Sequence, residues 1–464
     1  MTIQSTQMAG SSRDTMPKGQ GDLTIEGHGI EPIPETGRYG VPSRTFTVWF
    51  TSNMVPAAFA IGLLAPILGL GWWTGLLAIL LGNLVGCILP ALLSALGPST
   101  GMAQMPMARL PFGKSIVLPG ILLWIVTVAW DAINAFFGAY AIMILTNNVV
   151  PFPVGVFLII LCQAVLSIVG YEAVHLFARY ASIALAILFA VVTLDVAPHM
   201  NFALADVGGF SIGMFVLMTT AIASFNLGWS LYASDYSRYL PVNSSKPHIA
   251  IWTYVGLFIS AAWLEILGLA VFGALGSEAD ASHQIYSLVG GGFIGALAMI
   301  AIVVGTVAVN AINDYTGSLS VLAAGLRIWR PASALVVGVV SFGAALWLYY
   351  GDFYSSFENW LLLVTYWVGP WLGIVVVDWL MRKGKFHEAT VVSFSLLPSG
   401  RNAFIALVVG FIVSIPFMNQ TLFEGPGAIA LNGADITYYV GFVVAAVIYW
   451  VAETSIGRTS VAEA

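Results

Sequence analysis

Every lysine and arginine of this 464-residue chain falls on one side of a barrier once its apolar segments are taken as membrane spans. The sixteen cations are Arg13, Lys18, Arg38 and Arg44 near the N-terminus, then Arg109/Lys114, Arg179, Arg238/Lys246, Arg327/Arg330, Arg382/Lys383/Lys385/Arg401 and Arg458. Two apolar spans separate each group from the next. The turns joining those spans carry only neutral, acidic or histidine side chains: Asp195, His199 and Asp206; Glu278, Asp280 and His283; Asp352 and Glu358; Glu424 and Asp435. Basic residues stay on the cytoplasmic side of a membrane, so the pattern predicts cytoplasmic termini and an even number of spans.

The composition agrees. The chain is 59% hydrophobic and 8% charged, against roughly 25% charged residues in a soluble domain. A span needs ~20 apolar residues. Twelve are expected, at 46–69, 73–96, 117–146, 151–170, 177–198, 208–233, 248–276, 291–325, 332–350, 357–380, 402–418 and 434–453. The transporter-like domain then covers residues 44–455. Residues 1–43 are rich in Gly, Ser, Thr and Pro and are expected to form a disordered cytoplasmic tail; 456–464 form a short one at the other end. No signal peptide is expected, because the first apolar stretch begins late and is too long. Cys87 and Cys162 lie inside apolar spans and read as small core residues.

Enzyme chemistry finds no support. No Cys/His spacing suits a metal, and His28, His175, His199, His248, His283 and His387 all fall in tails or loops. The run Gly290-Gly291-Gly292 opens an apolar helix without a Lys or Ser/Thr to hold phosphate. No cofactor and no nucleic-acid partner are expected; the surroundings are the lipid bilayer, and the chain is expected to be a monomer.

Two spans are poor straight helices. The first holds Thr51-Ser52-Asn53-Met54-Val55-Pro56, where Pro56 removes a backbone donor. The sixth holds Ser224-Phe225-Asn226-Leu227-Gly228-Trp229-Ser230. Breaks at positions one and six, five spans apart, suit an inverted repeat of five plus five helices with two more at the end. Unwound backbone in a membrane must be buried or line a cavity. A simple Pro kink and a Gly packing notch would leave the same marks.

Polar residues recur at mid-membrane depth. In the third span Trp130 and Asn134 are four apart and share a face, with Thr127 beside them. An aromatic plane near an amide suits a flat heterocycle, which it can stack on and hydrogen-bond. A tryptophan packed against lipid and an Asn bonded to a neighbouring helix is the plainer alternative. In the eighth span Thr306, Asn310, Asn313 and Asp314 are the polar positions; Asn310 and Asn313 share a stripe, facing either a cavity or a partner helix. Trp229 adds a second stacking surface. Asp131, Glu265 and Asp314 are the deepest acids, and no Lys or Arg is deep enough to pair with them, which makes them candidate cation or proton carriers. Asp235 and Asp378 lie at cytoplasmic ends, near Arg238 and Arg382.

Two segments resemble those of a known family. Ala233-Ser234-Asp235-Tyr236-Ser237-Arg238-Tyr239-Leu240-Pro241 is similar to the DYSRY signature of the nucleobase:cation symporter-1 family. Gly97-Pro98-Ser99-Thr100-Gly101-Met102-Ala103-Gln104-Met105-Pro106-Met107-Ala108-Arg109, ending in Pro111-Phe112-Gly113, resembles that family's GxxTGxxQxxxAR…FG loop. The purine–cytosine permease branch fits best, over residues 40–455. The resemblance implies an all-α membrane protein with the LeuT-type five-plus-five inverted repeat and broken helices 1 and 6. It also implies substrate contacts at Trp130, Asn134, Trp229, Asn310, Asn313 and, in the Trp49-Phe50-Thr51-Ser52-Asn53 segment, at Thr51 and Asn53. Gln104, Arg109, Asp235 and Arg238 would belong to the cytoplasmic gate. Sodium-coupled members carry adjacent hydroxyl residues in helix 8, whereas this chain reads Thr306-Val307-Ala308-Val309. One hydroxyl remains, which favours H+ over Na+ as the coupling cation. The expected function is import of a purine or cytosine by cation symport. Another small heterocycle (allantoin, a hydantoin or a B-vitamin) is the alternative within transport, and a transporter-like receptor is the alternative outside it.

Overall fold

The computed structural model describes residues 29–461 except 170, 273–280, 327–329, 352, 384 and 386–387. His28, Glu278, Asp280, Arg327, Asp352, His387 and the first 28 residues lie outside the described residues, as do the side chains of His175, Arg330 and Glu358. The main helices are α1 (Arg44–Asn53), α2 (Pro56–Ile67), α3 (Trp72–Gly86), α4 (Val117–Leu145), α5 (Phe152–Val169), α6 (Tyr171–Val196) and α7 (Ile212–Leu227). They continue as α8 (Lys246–Val271), α9 (Gly292–Ala323), α10 (Arg330–Tyr350), α11 (Phe353–Arg382), α12 (Arg401–Ser414) and α13 (Thr437–Val451). The β-structure among the described residues is one antiparallel pair of two-residue strands, with Asn419 opposite Glu424.

Eight of the described helical segments are long and apolar enough to cross a membrane, and the bent pair α1–α2 makes a ninth. Three shorter apolar helices, Phe152–Ser167, Leu335–Tyr350 and Arg401–Phe417, fall where spans were expected. The result is a mostly helical membrane protein.

The first expected break has a clear cause. Pro56 opens α2, and the residue before a proline is pushed into extended backbone. Val55 sits at φ −131°, ψ 153°, so α1 must stop before it. The two helices meet at 55°. The sixth span differs from expectation. It is one helix to Leu227, tightening into a 3-10 turn over Gly228–Leu231. Residues 232–239 then form turns instead of a second half-helix. Those turns spend their hydrogen-bonding groups on the Gly97–Arg109 loop: the Gln104 amide donates to Asp235 Oδ1 at 2.7 Å and the Ser234 hydroxyl to Gln104 Oε1 at 3.1 Å.

Part of the segment expected to be unstructured is seated on the bundle. Residues 29–43 run across this end of the bundle: the Ile33 amide donates to the Gly101 carbonyl, the Tyr39 amide to the Tyr239 carbonyl, and Arg38 to the Pro98 carbonyl. Ile33 is fully buried. The composition suggested disorder, but one buried isoleucine and a handful of backbone bonds suffice to seat the segment.

Two packing groups matter for the site. In one, α3 lies along α7 while α8 lies along α1 and α2. In the other, α4 and α5 pack on α9. Helices in lipid associate through small residues that let backbones approach. Gly82 and Gly86 do this for α3 and α7: a Cβ on Gly86 would stand 2.7 Å from the Ala223 carbonyl oxygen, and one on Gly82 2.7 Å from the Ile222 side chain. Asn83 lies between them and is thereby carried to α7. Replacing Gly86 by leucine forces the helices apart; overpacking of this kind costs about 1–3 kcal/mol, so the thermal midpoint of purified G86L in detergent is expected to fall by several degrees, and an unchanged midpoint would deny the close approach.

Candidate functional site

Helix α4 brings Trp130 and Asn134 to one side, and α9 brings Asn313 opposite. The 3-10 turn after α7 supplies Gly228 and Trp229, and the break after α1 supplies Ser52 and Val55. These residues, with Phe225, Tyr232 and Val309, line a small cavity. A larger groove of about 1010 Å³ lies outside α4 against α10 and α11, lined mainly by alanine, leucine and aromatic side chains. The predicted polar residues do not converge there.

Both indoles are held from the side. Trp130 meets Phe225 at 5.7 Å and Phe357 at 6.2 Å, edge to face. Trp229 meets Trp49 at 5.6 Å and Tyr232 at 5.2 Å. Such near-perpendicular contacts hold the plane of each ring.

The polar groups on the wall are open. Asn134 donates its side-chain N–H to Asn310 Oδ1 at 3.0 Å and its backbone carbonyl accepts from Thr306, which leaves its own side-chain Oδ1 without a partner among the described residues. Neither amide atom of Asn313 has one, nor does the Tyr232 hydroxyl. The wall thus carries an unpaired acceptor at Asn134, an amide at Asn313 whose other neighbour is Asp131, and a hydroxyl at Tyr232 that can donate or accept. Buried polar groups are ordinarily paired, which sets this cluster apart.

Other predicted contacts stand behind the wall. Asn310 donates to the Asp131 carbonyl at 3.1 Å and to Gln163 Oε1 at 2.7 Å, so it orients Asn134 instead of facing the cavity. Asn53 accepts from the Trp229 indole N–H at 2.8 Å and donates to Asn226 at 3.0 Å. The Thr51 hydroxyl turns to the carbonyls of Thr47 and Ala178, and Thr306 donates to the Asn134 carbonyl at 3.4 Å.

The deep acids fall into two places. Asp131 and Asp314 lie side by side, with the Asn313 and Gln163 amides around them. Gln163 donates to Asp314 at 3.3 Å; the Asp131 oxygens interact with these neighbours without reaching hydrogen-bond geometry. Glu265 is elsewhere, fully buried against Asn83. At the basic end of the bundle, Arg109 donates to the carbonyls of Leu322, Ala323, Val391 and Val392, and so caps α9. Arg238 donates to Tyr315 and the Gly29 carbonyl, and Asp235 accepts from the Thr316 hydroxyl. Arg382 pairs with Asp378 at 2.6 Å, as its spacing suggested.

The family profile described as permease for cytosine/purines, uracil, thiamine and allantoin matches residues 32–441. A purine-cytosine permease of Emericella nidulans is 30% identical over 455 residues, 92% of this chain and 88% of that one. The chain belongs to this permease family. Its members are transporters and not enzymes. A putative purine-cytosine permease of Bacillus subtilis is 28% identical over 446 residues, 92% of this chain and 96% of the relative. The fold is also that of a solved nucleobase-cation-symport-1 family transporter, Mhp1, in a closed conformation with bromovinylhydantoin bound. The TM-score is 0.72 at 17% identity, with 93% of this chain and 97% of that one covered.

Sequence reasoning missed Tyr232, Phe225 and Ser52 on the wall, and Gln163, Asn83 and Asn226 behind it. Gln163 and Asn83 are lone amides in long apolar runs, and that isolation was the available signal. Replacing Asn310 by alanine removes the partner of both Asn134 and Gln163. A buried group left unpaired costs about 1–3 kcal/mol, so N310A is expected to melt several degrees lower in detergent; an unshifted melting curve would show that the amide centre holds nothing together.

Proposed function

We propose that this permease imports a nucleobase of the purine or cytosine type by cation symport, through alternating access around the cavity between α4, α9, the α1–α2 break and the turn after α7. The observation that carries this reading is the convergence of Trp130, Asn134, Trp229 and Asn313 on one cavity with their amide groups open. A base would lie against the two indoles, with Asn134, Asn313 and Tyr232 reading its edge. Asn310 and Asn53 would act from behind, holding Asn134 and Trp229. The purine-cytosine permeases among its relatives support this substrate class. The family description also covers thiamine and allantoin, so competition by a ligand panel decides the member of the class.

The bent pair, the eight long helices and the three shorter ones are read together as twelve spans in a five-plus-five inverted repeat with two further helices. The sixth span is read as broken at Gly228. Both termini, the Gln104–Arg109 loop and the Asp235–Arg238 turn face the cytoplasm in this reading, because the order of spans in the sequence puts all the basic residues on one side. The gate role of these motifs rests on their mutual packing at that end.

H+ is the preferred coupling cation. Asp131 and Asp314 adjoin the cavity through Asn313 and have no cation among their interacting neighbours. Two unpaired carboxylates side by side in a membrane interior are costly, and a shared proton relieves that cost. Thr306, the single hydroxyl left where sodium-coupled members carry adjacent ones, donates to the Asn134 backbone carbonyl, which leaves its oxygen able to accept. A ligand shifts alternating access only through its differential affinity for the two states; protonation of this pair beside Asn313 would supply such a difference.

Two outcomes follow. N313A is expected to reach the membrane at normal levels and lose base uptake, and unchanged uptake kinetics would remove the base from this cavity. D314N is expected to exchange labelled base across the membrane yet fail to accumulate it against a gradient, and retained accumulation would move coupling away from the pair.

A further inference from the structure

The Trp229 indole is the first donor in a hydrogen-bonded chain that runs away from the cavity. Its N–H donates to Asn53 Oδ1 at 2.8 Å. Asn53 Nδ2 donates to Asn226 Oδ1 at 3.0 Å, and Asn226 Nδ2 to Asn83 Oδ1 at 2.6 Å. Asn83 Nδ2 donates to the carboxyl Oε2 of Glu265. Asn53, Asn226, Asn83 and Glu265 are fully buried, and Trp229 is 7% exposed.

Every bond points the same way. Each carboxamide accepts with its oxygen and donates with its nitrogen, so the direction of one bond fixes that of the next. An indole can only donate, which sets the chain's start. Glu265 Oε2 accepts from Asn83, which sets the chain's end. Bonds in series polarise one another. The chain crosses four helices, α1, α7, α3 and α8. The glycine contacts between α3 and α7 bring Asn83 and Asn226 together.

We infer that Glu265 is a positioning residue for the substrate site, holding the plane of the Trp229 ring through the Asn83–Asn226–Asn53 relay. The inference rests on the reading of Trp229 as a surface for the base. It separates Glu265 from the Asp131–Asp314 pair, which borders the cavity from the opposite packing group. The relay also makes the ring's orientation depend on how α8 and α3 sit against α1, so a rearrangement of those helices is felt at the base.

The test has a substrate-free arm. The protein is labelled with fluorotryptophan, and the Trp229 resonance is identified as the one missing from W229F. The relay predicts that this resonance shifts in E265M, which removes the terminal acceptor, and again in N83S, which cuts the same chain at a second place should either variant fold poorly. A Trp229 resonance unmoved in the folded variants overturns the inference, whatever the substrate. The second arm is a double-mutant cycle on base uptake. E265M and W229F are each expected to raise KM about fivefold, the loss of roughly one hydrogen bond. The double variant is expected to show little more than one such loss, because both changes break one chain. Effects that multiply would show that Glu265 acts independently of Trp229. A shifted resonance without any base uptake in the wild type would instead refute the transport reading and leave the relay standing.

Discussion

The structure depends on one requirement: a polar group inside the bilayer must find a partner within the protein. Most of the buried amides meet it by bonding to each other across helices. Asn310 gathers Asn134, Gln163 and the Asp131 carbonyl on one side of the cavity. Asn53, Asn226 and Asn83 form a file on the other. At the cavity wall between the two networks, the Asn134 Oδ1, the Asn313 side-chain amide and the Tyr232 hydroxyl are left without a hydrogen-bond partner among the described residues.

The backbone serves the same end. Pro56 and extended Val55 interrupt the first span at the cavity wall, and Gly228 ends the regular helix of the sixth beside it. Neither interruption lies in contact with lipid: Ser52, Val55, Gly228 and Trp229 are all buried. Close helix approach at Gly82 and Gly86 then sets which amides can meet. Small residues, helix breaks and amides are parts of one arrangement, in which packing distance decides hydrogen bonding and hydrogen bonding decides which ring faces the cavity.

Much of this was legible in the sequence. The sidedness of Lys and Arg located the spans, the proline located the first bend, and the spacing of Trp130 and Asn134 placed both on the cavity. Rotation was not legible. Asn310 and Asn313 share a stripe by spacing, yet one faces α5 and the other the cavity, because Gln163 claims Asn310. Asn53 lies one residue from the cavity-lining Ser52 but turns the other way. Such choices are made by partners on other helices, which a periodicity within one helix does not show. The same holds for the acids: three lone carboxylates by sequence become a pair at Asp131–Asp314 and a relay terminus at Glu265. The tail was misread for a related reason, since Ile33 is seated by a loop seventy residues on.

The central claim is that this cavity loads a base together with a proton. Purified protein in proteoliposomes, given labelled adenine or cytosine under an inward proton gradient and separately under an inward sodium gradient, tests it most directly. The account predicts accumulation of at least one of these bases driven by the proton gradient. Accumulation driven by sodium alone would contradict the coupling, and no accumulation of either base under either gradient would contradict the transport reading itself.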